Sequence, residues 1–384
     1  MIRLCFISYM YPGKHNSSDY AFVKQLVDAI AARGNECYVI APYNVNHYFK
    51  YTPIRESYTV GLGSVSVFRP WYLSFSAKLG CLYRLSGKQR RRALQKAFKM
   101  LPHIPDAIYG HFWHGAFGGY EYAKEHNLPL FVASGESEVL FRNNTEIKNA
   151  FCEYVKGVIC VSTKNRDESV KLGLTRKEKC IVAPNAINNT IFRTLDRKRC
   201  REVLGLPEST FIVSFVGWFN ERKGPLRLLN AIQDLDGVYS LFIGKGEMEP
   251  VGDNILFKGS VEHDMVPFYL NASDIFVLPT LHEGCCNAVV EAMACGLPVV
   301  SSDLPFNWDI LNENNSIMVN PTIIDEIRRA IIKLRDDVGL RQKLSNGALE
   351  TAQTLTIEKR AEIIEKFIEN SLVVFSCNDD ITIK

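Results

Sequence analysis

Short apolar runs alternate with amphipathic ones along almost the whole chain. Residues 3–8 form an apolar run ending in a Tyr-Pro-Gly turn, and residues 20–33 place Phe22, Val23, Leu26, Val27 and Ile30 at helical spacing. That reads as a strand, a loop and an amphipathic helix. Residues 37–41, 107–109, 130–133 and 157–161 predict four more strands, with helical segments at 119–125 and 163–172 between them. The pattern restarts near Thr210: strands at 211–216, 239–243, 275–278 and 298–301 alternate with helices at 225–233, 266–271 and 287–295. Alternation of this kind predicts parallel sheets covered by helices. The expected fold class is therefore α/β, with two doubly wound Rossmann-like domains facing each other across a cleft. Their expected limits are 1–190 and 191–355, with a hinge near 186–195. A C-terminal helix and tail at 356–384 can cross back to the first domain. Such sheets bind ligands at the carboxyl ends of their strands.

Composition narrows the function. The 384 residues hold 45 Lys and Arg against 42 Asp and Glu, with 47% hydrophobic and 23% charged, the proportions of an ordinary globular protein rather than a disordered one. The longest run lacking Asp, Glu, Lys and Arg is the 14 residues 107–120, too short for the ~20 that a spanning helix needs. The apolar run 4–10 is followed by Pro12 and Gly13 with no small-residue cleavage pattern, so the expected location is the cytoplasm. Eleven scattered cysteines, odd in number and without a C-x-x-C pair, read as free thiols, and no ligand set at a zinc spacing surrounds Cys285 and Cys286. No metal and no other cofactor is expected.

The net charge of +3 conceals an imbalance. Residues 1–190 hold 25 Lys and Arg against 14 Asp and Glu, which leaves 20 against 28 for the rest. No acidic residue occurs from 57 to 105, where Arg69, Lys78, Arg84, Lys88, Arg90, Arg91, Arg92, Lys96 and Lys99 are interleaved with Trp71, Tyr72, Phe75, Tyr83 and Phe98. Segment 69–99 reads as a surface for an anionic membrane, the alternatives being a solvated basic helix or a groove for an anionic acceptor. No nucleic-acid motif accompanies it, so nucleic acid is not an expected partner.

The chemistry concentrates in 274–303, DIFVLPTLHEGCCNAVVEAMACGLPVVSSD. A strand ends at Pro279, a loop carries Glu283, Gly284, Cys285 and Cys286, and a helix starts at Asn287 with Gly296 placed to stop it. Unpaired N–H groups and the positive dipole end suit a diphosphate, and Gly284 permits close approach. Glu283 and Glu291 are placed for sugar hydroxyls, the alternative being a helix cap for Glu283 and a surface carboxylate for Glu291. A second strand-to-helix loop, FVGWFNERKG, brings Gly217 and the cations Arg222 and Lys223. A third, LFIGKGE, ends in Gly244-Lys245-Gly246, either a backbone approach to a nucleobase or a plain turn.

Together these residues resemble the family 4 (GT4) retaining glycosyltransferases of GT-B fold. Glu283 and Glu291 match the E-x7-E pattern, FVGWFNERKG the loop with the phosphate-binding Lys, and PNAIN at 184–188 the PNGVD hinge motif. The resemblance implies transfer of a sugar from a nucleotide-diphosphate donor without a metal. By it Glu283 contacts the donor sugar, Glu291 the ribose hydroxyls, Arg222 and Lys223 the diphosphate, and the backbone at 284–286 the sugar or phosphate. Three departures stand out. Trp218 replaces the usual Arg after the glycine, the first loop, 12–19, lacks a Gly-Gly pair, and Gly135 occupies the position of an active-site His, with Glu136 beside it and Glu138 near. His111 aligns with a cleft-lining segment, and His114 follows three residues later. Glu136 and His111 are candidates for acceptor binding or proton handling, the alternative for His111 being a helix cap or a packed loop residue.

The reading is a hexose-type transferase acting with retention on a saccharide or lipid-linked saccharide in surface polysaccharide or lipopolysaccharide assembly, peripheral on the inner face of the cytoplasmic membrane. Two rivals are a catalytically silent nucleotide-sugar-binding membrane subunit, which would bind without turnover, and a nucleotide-sugar epimerase, which donor alone would expose.

Overall fold

The computed structural model describes residues 1–13, 20–45, 53–75, 81–141 and 143–379, without the side chains of 81–84 and 373–379. Residues 14–19 of the first loop and Lys78 of the basic segment lie outside the described residues, as do the side chains of Tyr83 and Arg84. By contacts the chain divides in two. The first unit comprises Met1–Val161, Asn165–Ala183 and the segment from Glu358, and the second Ser162–Lys164 and Pro184–Ile357.

The first unit contains β1 (Arg3–Ile7), α1 (Ala21–Ala32), β2 (Glu36–Ile40), β3 (Tyr43–Asn44), β4 (Arg55–Val60), β5 (Gly63–Phe68), β6 (Trp71–Tyr72), α2 (Cys81–Phe98), β7 (Ala107–His111), α3 (Phe112–Glu125), β8 (Leu130–Ser134), α4 (Thr145–Tyr154), β9 (Gly157–Cys160), α5 (Thr163–Lys171) and β10 (Cys180–Val182). Its eight-stranded sheet runs β10-β9-β8-β7-β1-β2-β5-β4, parallel throughout except for β4 against β5. β1, β2, β7, β8 and β9 are buried on both faces, which is why they read as unbroken apolar runs.

The hairpin β4–β5 was not foreseen, because β4, RESYTV, is mostly exposed and offers no apolar run. It turns through Gly61 at φ 56°. α3 begins seven residues before its expected start at 119. Gly115 and Gly119 let the helix press on the sheet: a Cβ on Gly115 would lie 3.0 Å from Ile7 O, and one on Gly119 2.4 Å from Ile7 Cδ1.

The basic segment is only partly a surface. Arg69 is 4% exposed; its guanidinium pairs with Glu56 at 2.8 Å and donates to Pro12 O at 2.9 Å. Phe98 is buried against Tyr122, ring centroids 4.1 Å apart, and Arg90 lies 4.7 Å over the Tyr9 ring. These three therefore serve the unit's own packing. Lys88, Arg91, Arg92 and Lys96 remain exposed on α2, as do Lys99 just past its end and Trp71 on β6. Among the described residues no helix is long and apolar enough to cross a membrane.

The second unit contains α6 (Arg197–Leu204), β11 (Phe211–Val216), α7 (Pro225–Ile232), β12 (Val238–Ile243), β13 (Ile255–Gly259), α8 (Val266–Asn271), β14 (Ile275–Leu278), α9 (Asn287–Ala294), β15 (Val299–Ser302), β16 (Ser316–Val319), α10 (Ile324–Asp336) and α11 (Val338–Thr354). All six strands are parallel, in the order β13-β12-β11-β14-β15-β16. The winding reverses between β11 and β14, so the loops after those strands meet at the switch point.

The last helix, α12 (Ile357–Asp379), packs on the first unit. Glu365, 6% exposed, pairs with Arg33 and accepts Asn35 Nδ2 at 2.5 Å, while Phe367 sets its ring 5.9 Å from that of Phe131. Asn35 is itself buried, its Oδ1 accepting Ile2 N at 3.0 Å. Glu365→Ala removes the acceptor of a buried amide and should cost about 1–3 kcal/mol. Thermal unfolding should show the first unit melting several degrees lower, and an unchanged midpoint would deny the clamp its role.

Candidate functional site

The carboxyl edge of the second sheet gathers nearly every residue that the sequence singled out. The loop after β11 carries Gly217 to Gly224, and the loop after β14 carries Glu283 to Cys286. Hydrogen bonds lace the two together: Leu281 N donates to Arg222 O at 2.8 Å, and the Arg222 side chain donates through Nη1 to His282 O at 2.8 Å. Lys223 N donates to Asn220 Oδ1 at 3.0 Å, which fixes the turn before Gly224 and Pro225 open α7.

At the centre is a carboxylate. Glu283, 8% exposed, places Oε1 2.8 Å from Arg222 Nη1 and 2.7 Å from Lys223 Nζ, and accepts Thr280 Oγ1 at 2.8 Å. Burial alone would pull the Lys223 ammonium down, but Cys286 and Glu283 beside it outweigh burial and leave it raised. Burial also pushes the Cys286 thiol up, so at neutral pH the negative partner of Lys223 is Glu283. The trio of Arg222, Lys223 and Glu283 carries one net positive charge.

α9 starts beside this trio. Cys286 stands at its N-cap with no side-chain hydrogen bond to the first turn, and its Sγ lies 3.8 Å from Lys223 Nζ. The first N–H groups of a helix have no partner within it, so an electropositive backbone edge adjoins the Lys223 ammonium. Gly284, Cys285 and Cys286 are buried. Asn185, from the segment leading into the unit, donates through Nδ2 to Cys285 O at 3.0 Å and to Asn287 Oδ1 at 2.7 Å.

Glu291 lies farther along α9 with its Oε1 3.5 Å from His263 Nε2. Hydrogen bonding to Glu291 raises the His263 imidazole above its ordinary value despite partial burial, and the Phe192 ring meets His263 edge-on at 5.2 Å. The two glycine loops are also locked together. A Cβ on Gly244, at φ 152°, would lie 1.9 Å from Gly217 O, so close backbone packing accounts for that glycine.

Glu136 and His111 belong to the first unit, at the ends of β8 and β7. Glu136 closes the start of α3: Oε1 accepts Trp113 N at 3.0 Å and Oε2 accepts Gly135 N at 3.0 Å. Burial pushes its carboxyl up to about 7 against the pull of those donors. His111 precedes Phe112, which sits at φ 64°, and the Tyr20, Phe22 and Phe112 rings surround it. Burial, with Arg360 adding repulsion, pushes it down to about 3, so it is a neutral imidazole whose Nε2 is buried without a partner among the described residues. At Gly135 a Cβ would meet Val161 Cγ1 at 3.1 Å and Phe112 Cε1 at 3.4 Å. Glu138 and His114 are exposed.

Sequence reasoning missed His263, Thr280 and the bracing role of Asn185. Asn185 stood inside a quoted motif and could have been found there, whereas His263 carried no local signal.

The family described as Glycosyl transferases group 1 matches residues 196–351. A putative teichuronic acid biosynthesis glycosyltransferase of Bacillus subtilis is 24% identical over 385 residues, covering 92% of this chain and 94% of the relative. A UDP-Gal:alpha-D-GlcNAc-diphosphoundecaprenol alpha-1,3-galactosyltransferase of Escherichia coli is 26% identical over 232 residues, 54% of this chain and 58% of the relative. Among solved structures, sucrose-phosphate synthase from Thermosynechococcus elongatus superposes with a TM-score of 0.76 at 19% identity, covering 97% of this chain and 100% of the other. With its two doubly wound sheets and the group 1 match over the second, the chain has the GT-B fold and is similar to the GT4-type glycosyltransferases.

Proposed function

We propose that the chain moves a hexose-type sugar from a nucleotide-diphosphate donor to a lipid-linked saccharide, with retention of configuration, in the assembly of a surface polysaccharide or glycolipid. The observation that carries this reading is the Lys223–Glu283–Arg222 cluster beside the start of α9 at the switch point of the second sheet. A donor diphosphate there meets the Lys223 ammonium and the helix N–H groups. Glu283 keeps Lys223 charged and oriented, and Glu291 takes the ribose hydroxyls. The bond from the sugar's anomeric carbon to the phosphate oxygen breaks as the acceptor oxygen bonds to that carbon from the same face. The acceptor's proton passes to the departing phosphate oxygen, so the diphosphate is both leaving group and base. Charge building on that oxygen is what Lys223 and the helix stabilise. In this reading the protein supplies the counter-charge and no metal is needed.

The two similar enzymes whose names mention teichuronic acid and a diphosphoundecaprenol acceptor favour a cell-surface product. The first unit would carry the acceptor, and α2 would hold it to an anionic leaflet from the cytoplasmic side. Lys88, Arg92 and Lys96 recur on α2 at the spacing of one helix face, and Lys99 follows its end. Each can contribute about 1 kcal/mol near such a surface. Co-sedimentation with phosphatidylglycerol vesicles should fall sharply when Lys88, Arg92 and Lys96 become Glu, and unaltered binding would remove the membrane from the proposal.

Thermal shift against UDP-, GDP- and other nucleotide sugars identifies the donor, since a ligand of the native state raises the melting temperature. With that donor, Lys223→Ala should reduce transfer on the order of 10²–10³-fold while far-UV circular dichroism stays native. Transfer at the wild-type rate would sink the assignment, and the anomeric configuration of the product, read by NMR, tests retention.

The His263–Glu291 pair predicts a pH dependence. Its folded-state value is raised, so the stabilisation is fully present below the ordinary histidine value of about 6.5 and is lost as pH rises through the raised one. In an NMR titration His263 should have its midpoint above that of an exposed histidine. Glu291→Gln should bring it down, and a midpoint indifferent to the substitution would dissolve the pair.

A further inference from the structure

The charge at the donor edge does not balance. The diphosphate of a sugar nucleotide is doubly negative, yet Arg222 and Lys223 share one carboxylate oxygen and leave a single net positive charge. The start of α9 adds about half a charge. Other cations nearby are committed: Arg227 pairs with Glu221 at 2.5 Å and Lys258 with Glu249 at 2.9 Å.

Lys245 is different. It follows β12 between Gly244 and Gly246, is exposed, and has no carboxylate within ion-pair distance among the described residues. Its Nζ lies 5.7 Å over the ring of Trp218, which is 57% exposed on the neighbouring loop. An ammonium on the face of an exposed indole keeps much of its water and is only weakly held, so it can turn to a stronger anion. The seat beneath it is firm. Phe219 N donates to Lys245 O at 2.8 Å, Gly217 N to Ile243 O at 3.0 Å and Met248 N to Phe219 O at 2.9 Å. A short path also joins this pair to the cluster: a Cβ on Gly217 would touch Lys223 Cδ at 3.4 Å, and one on Gly244 would collide with Gly217 O. The Lys223 stem, Gly217 and Gly244 thus lie side by side, with Lys245 next in the row.

We propose that Lys245, carried on the face of Trp218, is the second cation for the donor diphosphate, supplied by the loop after β12 rather than by the loop after β11. The proposal rests on the donor-site reading of this edge. Trp218 then serves as a platform that aims the ammonium instead of carrying charge itself.

Titration calorimetry on the full chain separates phosphate from base by comparing UDP with uridine and GDP with guanosine. Lys245→Ala should weaken the preferred diphosphate roughly tenfold or more, flatten its dependence on salt and leave its nucleoside within about twofold. Lys245→Arg should retain most of the affinity. Because Lys245 is exposed, the unliganded melting temperature serves as the folding control. Diphosphate affinity unchanged in Lys245→Ala, or equal loss for diphosphate and nucleoside, would overturn the assignment of Lys245 while leaving the donor site intact. A wild-type protein that binds neither diphosphate would overturn the donor reading itself, and this inference with it.

Discussion

One carboxylate oxygen organises the second unit's edge. Glu283 Oε1 accepts two cations and a hydroxyl at 2.7–2.8 Å while the residue is almost wholly enclosed. A buried carboxylate with fewer donors would be expensive, and burial pulls the ammonium toward its neutral form while the carboxylate opposes that pull. The arrangement therefore forces the loops after β11 and β14 to stay together, since each supplies what the other cannot bury alone. It also sets a limit on function. The same oxygen that keeps Lys223 charged cancels one of its two neighbouring positive charges, so the cluster is left with a single net positive charge beside the start of α9.

Much of this edge was legible because its loops follow apolar strands and precede helices, and both transitions leave marks in sequence. β11, α7, β14 and α9 were placed within a residue or two, and with them Lys223, Glu283 and Glu291. What escaped depends on long-range pairing. His263 meets Glu291 from the loop before α8, Thr280 reads as an ordinary loop residue until its hydroxyl is seen on Glu283, and Gly244 looked like room for a base until Gly217 O was found against it. The alternation of strand and helix sets which loops share an edge. It does not say which side chains on that edge touch.

The first unit shows the opposite balance. Its central strands were plain, but the surroundings of Glu136 and His111 were not. Glu136 was read as a group for substrate, and the structure occupies both its oxygens with backbone N–H donors at the start of α3. The positive φ at Phe112 lets the helix begin with no intervening loop, and the Phe112 ring fills space next to Gly135 that a larger residue would contest. The departure at Gly135 and the strained Phe112 are thus one packing solution: a small residue at one strand end accepts an aromatic ring from the next. Basic residues divide in the same way, Arg69 spent on Glu56 and Pro12 inside the unit, Lys88 and Lys96 left in water.

The segment read as a hinge is fastened to the second unit. Asn185 fastens it to Cys285 O and Asn287 Oδ1, so the entry of the chain into the second unit is hydrogen-bonded to the first residue of α9. Two residues later Ile187 bonds in both directions to the exit, its N donating to Leu355 O and its O accepting Ile357 N, each at 2.9 Å. Entry and exit therefore form one short pairing anchored on the loop that presents Glu283. A motif that marks a boundary in sequence acts in the folded unit as a brace on its charged edge.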